Sequence, residues 1–478
     1  MSGSRARAAR FALGVLASCA SAASSAQVAA MATGCPQFHC TPEATGAMSQ
    51  PILGSAGLLT TTTPSDPALG TLLAQGCSGD GTRLACLVDS PTGTLKIVDT
   101  TSRPTLQVIH SDKDLMPGQQ LKRGWSNGQA PFMFSDGRVG AGDSTTYRIY
   151  NFDTTPPSMT SVALPVPARA VTMGLTDLGN GYGVVARSDG ALTFIDMAQG
   201  SYIGVLSLKD PNGDAVKLSS PPSANNGILY AAATSNEGYD GYLFAVSMDG
   251  SVAPTTWNWH YPFIGTPGAS PVEVTPSATK YSGTLVLLHV PGPGTPQLQA
   301  ILDNGSSATL QWYIPLARDL TVAPSVDEAN GRLYIIYKHG SAVFGYPLEV
   351  DAPAPAINEA YTSYDLRAMT GLRALRLNGH LGAVQTPGLA SDFTLLLAAT
   401  TETPNSPGSE HLVALRPDPA PGGAWSRPIS TPAAVYTGAW NLSPSTTPGI
   451  YCPLVVLGGN SRDPEDPRPN GLVLVCDH

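Results

Sequence analysis

The side chains best suited to binding a ligand form one aromatic run near the middle of the chain. The run reads Trp257-Asn258-Trp259-His260-Tyr261-Pro262-Phe263. Aromatic rings offer broad apolar faces with polar edges, which suits them to hold sugars or peptides. We interpret five of these residues as candidates for a ligand face: Trp257, Trp259, His260, Tyr261 and Phe263. The alternative is that at least one tryptophan packs inside the fold.

An acidic loop upstream of this run has part of the pattern of a calcium site. Asp210, Asn212 and Asp214 place three oxygen-bearing side chains at alternating positions, as in the first half of a calcium loop. The distal glutamate is missing at the expected distance. The sequence therefore favours a plain Asn-Gly turn, with these three residues as the metal-binding alternative.

The histidines and serines do not form a catalytic motif. There is no Gly-x-Ser-x-Gly and no His-Glu-x-x-His. The eight histidines are scattered singly: His39, His110, His260, His289, His339, His380, His411 and His478. We name no catalytic residue, although spacing would not show a triad assembled from distant parts of the chain.

The cysteines favour an oxidising compartment. Apart from Cys19, they form three pairs that are local in sequence: Cys35 with Cys40, Cys77 with Cys86, and Cys452 with Cys476. We expect three disulfides that close short loops. Zinc binding is the alternative, and only Cys35-x4-Cys40, with His39 inside it, has the spacing for it.

The first 26 residues have the pattern of an export signal. Three arginines precede a short apolar run, which is followed by alanine and serine. Ordinary signal peptidase sites occur at Ala20-Ser21-Ala22 and Ser24-Ser25-Ala26. Leu16-Ala17-Ser18-Cys19 instead resembles a bacterial lipobox, in which Cys19 would carry a lipid. Both routes predict an exported protein without a transmembrane span, in the periplasm, outer membrane or cell surface.

The composition excludes two classes of protein. Of the 478 residues, 42% are hydrophobic and 13% are charged, which argues against disorder. A net charge of -9 gives no basic surface for nucleic acid. The 50 glycine and 43 proline residues indicate many short strands joined by turns.

A repeated unit organises the chain. A proline segment precedes an apolar strand, a glycine-containing turn and a second strand. The segments are Ser49-Gln50-Pro51-Ile52, Gln129-Ala130-Pro131-Phe132, Ser219-Ser220-Pro221-Pro222, Ala269-Ser270-Pro271-Val272, Val322-Ala323-Pro324-Ser325, Gln385-Thr386-Pro387-Gly388 and Leu442-Ser443-Pro444-Ser445, with one lacking proline near Val171. Eight four-stranded units, each too small to bury its own faces, predict an all-β propeller. Seven blades result if the unit near Val171 merges with a neighbour.

The units resemble quinoprotein-type (PQQ-like) repeats, whose pattern is an apolar strand, Asp-Gly, an apolar strand ending in Asp, then Gly and Trp. Residues 184–196 carry most of this pattern, and residues 227–259 carry it with a tryptophan. The resemblance implies that Trp257 or Trp259, Trp312 and Trp425 pack between blades. It also implies that residues 51–478 form the propeller.

The last unit ends one strand short of a complete blade. We therefore expect an N-terminal segment to supply its outer strand. Residues 27–50 are predicted to contain the Cys35–Cys40 loop and this closing strand, which we place at residues 41–50.

Dehydrogenases of the quinoprotein family hold their cofactor with a vicinal Cys-Cys disulfide and a Ca²⁺ ion beside a catalytic Asp. This chain has no Cys-Cys pair and no Cys-x-x-Cys-His haem motif. We therefore expect no resident cofactor, with PQQ or Ca²⁺ as the alternative.

The favoured function is an exported, non-catalytic binding or scaffold protein of the bacterial cell envelope. Its expected partners are envelope or surface proteins, or glycans. This expectation rests on analogy with envelope lipoproteins that carry such repeats. The alternatives are an enzyme with a site in the channel or on one face, as a degenerate quinoprotein dehydrogenase or a polymer hydrolase or lyase, and a surface adhesin or filament-associated protein.

Overall fold

A computed structural model shows that the chain folds as a succession of short β-strands. The structure describes residues 47–48, 59–62, 71–80, 82–89, 94–101, 107–112, 131–142, 145–164, 172–248, 250–292, 294–320, 323–338, 340–349, 362–384, 393–403, 406–417, 423–429, 439–441, 451–458 and 471–477. The predicted signal of residues 1–26, Cys19 and the Cys35–Cys40 pair lie outside these ranges.

The described strands form eight sheets, which we number as blades in chain order. Strands are given from the inner to the outer edge of each blade. The first blade contains β3 (Thr71–Gly79), β4 (Arg83–Asp89), β5 (Thr94–Asp99) and β6 (Gln107–Asp112), and the second contains β7 (Phe132–Met133), β8 (Val139–Gly142), β9 (Thr146–Asn151) and β10 (Ser158–Ala163). The third contains β11 (Thr172–Asp177), β12 (Tyr182–Arg187), β13 (Ala191–Asp196) and β14 (Ser201–Ser207), and the fourth contains β15 (Val216–Leu218) with β16 (Ser223–Asn225), then β17 (Ile228–Ser235), β18 (Asp240–Ser247) and β19 (Trp259–Ile264).

The other four blades follow the same order. The fifth blade contains β20 (Val272–Val274), β21 (Leu285–Val290), β22 (Gln297–Asp303) and β23 (Ala308–Pro315), and the sixth contains β24 (Ser325–Asp327), β25 (Arg332–Ile336), β26 (Ala342–Pro347) and β27 (Thr362–Asp365). The seventh contains β28 (Leu375–Val384), β29 (Thr394–Thr403), β30 (Ser406–Leu415) and β31 (Ala424–Ile429), and the eighth contains β32 (Ala439–Asn441), β33 (Tyr451–Gly458), β34 (Gly471–Asp477) and β2 (Leu59–Thr62). The unit near Val171, which lacks the proline, forms a sheet of its own.

The blades are arranged in a ring. Inner strands contact the inner strands of neighbouring blades, as β3 does with β7 and β32, and β16 does with β11 and β20. Contacts between the eighth and first blades complete the circle. The predicted all-β propeller is confirmed.

The core lies between the faces of neighbouring blades. One buried cluster joins the third and fourth blades through Phe194, Leu206, Leu229 and Phe244. Similar clusters join the second blade to the third and the fifth to the sixth. Where a sheet is covered on both faces, its strands are apolar without strict alternation, as in β21, where all six residues are buried.

In two of the proline segments a proline carbonyl joins neighbouring blades. Ser78 Oγ in β3 donates to the carbonyl of Pro131 at 2.6 Å. Thr176 Oγ1 in β11 donates to the carbonyl of Pro222 at 3.2 Å. The proline contributes no N–H to the ladder, and its carbonyl accepts a buried hydroxyl from the previous blade.

A tryptophan between the fifth and sixth blades matches the expected packing. Trp312 in β23 is buried, and its Nε1 donates to the carbonyl of Leu348 at 3.1 Å. Its ring packs in the cluster shared by these two blades. Trp425 in β31 is half-buried.

The N-terminal part of the chain closes the ring, as predicted. β2 is the outer strand of the eighth blade and pairs antiparallel with β34. Leu59 lies opposite Asp477, and Thr62 lies opposite Leu474. A strand from the N-terminal part of the chain therefore completes the sheet of β32, β33 and β34.

The predicted position of the closing strand, residues 41–50, was wrong. The two described residues of that segment form β1 (Ala47–Met48), which pairs in parallel with β28 of the seventh blade. The true closing strand has the sequence LTTT. Its β-branched threonines suit a strand, but they give no apolar alternation that could have identified it.

One of the three predicted disulfides is present in the described residues. Cys77 in β3 and Cys86 in β4 lie directly opposite each other and are joined, with Cα atoms 4.1 Å apart. Cys452 and Cys476 are on the neighbouring strands β33 and β34, but their side chains lie outside the described part. That disulfide remains a prediction.

Helical structure is minor. α1 (Leu366–Thr370) begins after Asp365, whose carboxylate accepts from the Arg367 N–H, and ends at Gly371 in the left-handed conformation. A short 3₁₀ turn spans Pro276–Ala278. In the described part of the chain, no helix is long and apolar enough to cross a membrane.

The pairing of β2 predicts an asymmetric response to proline. Residues next to each other in a strand direct their N–H groups to opposite sides, so only one of Thr60→Pro and Thr61→Pro removes a bond to β34. We expect that variant to lower the free energy of unfolding by about 3 kcal/mol, and the other to have a much smaller effect. Urea denaturation measures both, and equal stability of the two variants would contradict closure by β2.

Candidate functional site

The predicted aromatic run does not form one surface. Residues 259–264 form β19, the outer strand of the fourth blade, and side chains in a strand alternate between its two faces. Trp259, Tyr261 and Phe263 face the fifth blade, whereas Trp257 and His260 pack toward the third blade. The candidate ligand face is therefore divided between two sides of one sheet.

The face toward the third blade is a cluster of aromatic rings around His260. Its ring centroid lies 6.0 Å from that of Tyr242, 6.2 Å from Phe244 and 6.4 Å from Trp257. Trp257 also meets Phe244 edge to face at 5.3 Å. Tyr242 and Phe244 are buried, while Trp257 and His260 remain partly accessible. These two residues retain the potential to contact a ligand.

The face toward the fifth blade is largely internal. Trp259 and Phe263 are buried in a cluster with Tyr230 and with Val286 and Ile301 of the fifth blade. The Phe263 ring occupies the space beside Gly241 where a Cβ would otherwise stand. Trp259 is thus the tryptophan that packs between blades, as the repeat pattern predicts, and Tyr261 is half-buried beside it.

Asp303, the last residue of β22, is the polar centre of this interface. Its Oδ1 accepts from Trp259 Nε1 at 2.9 Å, and its Oδ2 accepts from the Tyr230 hydroxyl at 2.6 Å. The Gly305 N–H also donates to Oδ1 at 2.6 Å. Three donors satisfy one buried carboxylate, and two of them come from the neighbouring blade.

The ionisation of Tyr230 is strongly opposed. Burial raises the pKa of this phenol, and its hydrogen bond to Asp303 and the negative charges of Glu273 and Asp303 raise it further. Glu273 lies in the inner strand β20 and is fully buried. Tyr230 therefore remains a hydrogen-bond donor at physiological pH and cannot serve as a base.

An open pocket of about 370 Å³ lies on the surface beside this cluster. Ser282, Thr284, Asp303 and Asn304 supply its polar lining, and Ile228 supplies an apolar wall. Hydroxyl, amide and carboxylate groups of this kind suit a small hydroxylated or amine-bearing molecule. The sequence gave little sign of the pocket, because its lining comes from two blades and from turns.

The proposed calcium loop is built as a turn. Asp210 Oδ1 accepts from the N–H groups of Asn212 and Asp214, both at 2.9 Å. Asn212 and Asp214 are exposed. One carboxylate oxygen of Asp210 thus accepts from the backbone of the Asn-Gly turn that the sequence favours, and metal binding by these three residues stays the untested alternative.

His289 is a buried histidine of the fifth blade. Its Nε2 accepts from the Leu320 N–H at 3.5 Å, in the segment that leads to the sixth blade. Burial lowers the pKa of His289 to about 4, although the charge of Asp319 opposes this shift. The imidazole is therefore neutral at physiological pH and acts as an acceptor within the scaffold.

Comparisons with known proteins give the class of fold. No protein-family model matches the chain, and no curated protein matches it by sequence. A solved europium-containing methanol dehydrogenase superposes with a TM-score of 0.56 at 9% identity, over 93% of this chain and 98% of that one. A quinohemoprotein alcohol dehydrogenase from Pseudomonas putida HK5 gives a TM-score of 0.52 at 11% identity, over 93% and 80%.

The chain therefore has the β-propeller fold of the quinoprotein dehydrogenases. This confirms the resemblance of its repeats at the level of fold. At such identities the likeness carries the architecture and not the activity.

The described residues do not fit a metal-assisted quinone centre. Within the described ranges, no three His, Cys, Asp or Glu side chains lie together as ligands for a metal ion. The buried Asp303 is engaged within the scaffold, since both of its carboxylate oxygens accept bonds from the protein. We derive no catalytic step through a quinone or a metal.

The Asp303 centre predicts a large coupling between blades. Asp303→Ala leaves the Tyr230 hydroxyl and the Trp259 indole N–H buried without an acceptor, so we expect a loss of about 3 kcal/mol in unfolding free energy. Trp259→Phe removes one donor and is expected to cost about 1 kcal/mol more than Trp312→Phe, whose acceptor is a neutral carbonyl. In a double-mutant cycle the effects of Asp303→Ala and Trp259→Phe should be far from additive. Additive effects would contradict a direct hydrogen bond between Trp259 and Asp303.

His289 predicts a dependence of stability on pH. Its folded pKa of about 4 lies below the unfolded value of 6.5, so the unfolded state takes up a proton first as the pH falls. The stability contribution is complete above pH 6.5 and is lost progressively toward pH 4, by about 3 kcal/mol. Denaturation of the wild type and of His289→Gln across this range should show a shallower slope for the variant. Equal slopes of stability against pH in the two proteins would contradict a lowered pKa of His289 in the folded state.

Proposed function

We propose that this protein is an exported, non-catalytic propeller that binds other proteins in the bacterial cell envelope. The observation that carries the proposal is the placement of exposed apolar side chains. Among the residues whose side chains are described, the large hydrophobic ones that remain exposed are Ile109, Met159, Tyr202, Val205, Tyr239, Val252 and Ile264. All seven belong to the first four blades.

Five of these seven lie on outer strands. Ile109 is in β6, Met159 is in β10, Tyr202 and Val205 are in β14, and Ile264 is in β19. We call the outer strands of the first four blades the apolar rim. Exposed apolar groups concentrated on one part of a surface are typical of sites that contact other proteins.

The polar residues that would carry catalysis are used within the scaffold. Asp303 and Tyr230 join the fourth and fifth blades, and His289 joins the fifth blade to the segment leading to the sixth. A catalytic residue needs a free position beside the reacting atom. This supports a binding role more than an enzymatic one.

Export is proposed from the N-terminal sequence and from the cysteines. The signal pattern of residues 1–26 supports it, and the Cys77–Cys86 disulfide fits an oxidising compartment. Whether Cys19 receives a lipid distinguishes an anchored protein from a free one, and labelling with palmitate reads this directly.

The enzyme alternative draws on the similar dehydrogenase structures. It requires a cofactor in protein purified from its natural host. Absorption spectroscopy and metal analysis of that protein decide the point, because a stoichiometric quinone or metal would favour the enzyme. A glycan ligand for Trp257 and His260 is tested separately by adding oligosaccharides to the same preparation.

The binding function predicts contacts at the apolar rim. A photo-crosslinking amino acid at Met159 or Tyr202 should join the protein to one defined envelope protein in intact cells. The same group at Thr309, exposed on the outer strand β23 of the fifth blade, serves as the matched control and should give much less product. Equal crosslinking at all three positions, or none at any, would contradict a binding role for the rim.

A further inference from the structure

The outer edges of the blades differ in how well they are protected against pairing with another strand. An outer strand presents unpaired N–H and C=O groups, which proteins usually guard with proline, charge, a bulge or short length. Seven of the eight outer strands described here carry at least one of these guards. The exception is β10, the outer strand of the second blade.

Proline and charge protect four of the outer strands. β19 contains Pro262, β23 contains Pro315, and β31 contains both Arg427 and Pro428. β6 contains Asp112, and its pairing with β5 is interrupted by a register shift. None of these edges offers a regular, neutral ladder.

Short length and coverage protect three more. In the part of the chain that the structure describes, β27 and β2 have four residues each. β14 is interrupted by a register shift against β13. Ala253 also covers the face of β14 that points toward the fourth blade. Its Cβ lies 2.5 Å from the position that a Cβ on Gly204 would occupy.

β10 has none of these guards in its own sequence or pairing, and its coverage by the third blade is at Thr160, whose Cγ2 lies 3.4 Å from where a Cβ on Gly200 would stand. Its sequence is SMTSVA, without proline or charge, and it pairs with β9 over six consecutive residues without a register shift. Five of the six residues are exposed, and Val162 is the exception. Among the described residues no strand pairs with the outer edge of β10, which is regular and about 20 Å long.

The cleft beside this edge supplies apolar contacts. Val162 of β10 packs toward the third blade in a cluster with Val185 and Ile195. In β14, Tyr202 pairs with Ile195 and therefore shares the face that looks back at the second blade. Tyr202 is 49% exposed, and Val205 is also exposed. A strand lying on β10 would direct every second side chain toward these two residues.

We propose that β10 is a strand-addition site, which takes an extended, uncharged polypeptide segment with alternating apolar residues from a partner protein. The inference rests on the proposed binding function and specifies how the partner is recognised. Main-chain bonds to β10 would supply the pairing, and contacts with Tyr202 and Val205 would select the sequence.

A second copy of this chain fits the edge less well than a single extended segment does. Two propellers joined only through six residues of β10 would touch along one strand each, well below the roughly 1,200 Å² of a stable interface. A lone segment can also enter the cleft between the second and third blades, which another propeller cannot. The exposed Tyr202 therefore favours the segment.

The test uses the full-length protein and a synthetic probe. The probe is a peptide of about ten residues that alternates valine and threonine, with a lysine at each end to keep it soluble. Binding is followed by titration calorimetry, and protection of the β10 amides by hydrogen exchange. We expect saturable binding with one peptide per protein, and slower exchange in β10 on binding.

Matched variants distinguish pairing at β10 from general stickiness. Ser161→Lys and Ser161→Glu both place a charge on the edge and should each weaken binding by at least tenfold. Thr309→Lys on the already guarded β23 should leave binding unchanged. The two variants carry opposite charges in order to separate strand pairing from attraction to the peptide's lysines. Tighter binding of the peptide by Ser161→Glu would indicate such attraction and would overturn the proposal.

Backbone pairing is tested by methylating peptide nitrogens. Two peptides carry N-methyl groups on the valines or on the threonines, and only one of these sets faces β10. We expect one peptide to lose binding and the other to keep it. Equal binding of both, equal loss in both, or no binding of the parent peptide would overturn strand addition. Concentration-dependent dimers that Ser161→Lys abolishes would assign the edge to a second copy and would also overturn it.

The two proposals fail separately. Crosslinking of one envelope protein at Tyr202 that persists in Ser161→Lys would retain the binding function and refute strand addition. Peptide binding that passes every control, without any envelope partner crosslinked in cells, would retain the strand-addition site and refute the proposed function.

Discussion

Burial of blade faces against neighbouring blades, seen from the first to the seventh blade in the described side chains, is the constraint on which this structure depends. A single four-stranded sheet with two apolar faces is not stable alone in water, because neither face has anything to cover it. The ring solves this by making each blade the cover of the next. The polar links follow from the same requirement, because the hydroxyls of Ser78 and Thr176 and the carboxylate of Asp303 are buried only where a neighbouring blade supplies their partner.

The fold was predictable because the periodic part of the sequence is also its structural unit. The proline segments, the glycine turns and the apolar strands recur, and each has a local physical reason that one sequence can show. The repeat pattern also predicts that a tryptophan packs between blades, as Trp259 and Trp312 do. The closing strand was misplaced because LTTT carries no apolar alternation, and because its partner lies at the other end of the chain.

The candidate site was less predictable, because its parts come together only through tertiary packing. The repeat pattern indicates Trp257 or Trp259 as an inter-blade residue, but it gives no sign of the hydrogen-bond acceptor. Asp303 is 44 residues from Trp259 and 73 residues from Tyr230, so only the folded chain brings the three together. The aromatic run was read as one surface, whereas strand geometry divides it between two faces. Alternation within a strand was the signal available in the sequence, and it would have separated Trp259, Tyr261 and Phe263 from His260.

Closure by β2 also has a consequence for how the molecule assembles. Leu59 of this strand pairs with Asp477 of β34, so the strand leaves the ribosome long before its partner is made. Apart from the parallel pairing of β1 with β28, the strands of the other blades are close in sequence. Joining β2 to β34 requires the longest loop between paired strands in the described part of the chain to close. Until that happens the ring remains an open arc with apolar faces at both ends. We therefore expect the final step of folding to be slow and the open arc to be the form most prone to aggregation or to capture by chaperones.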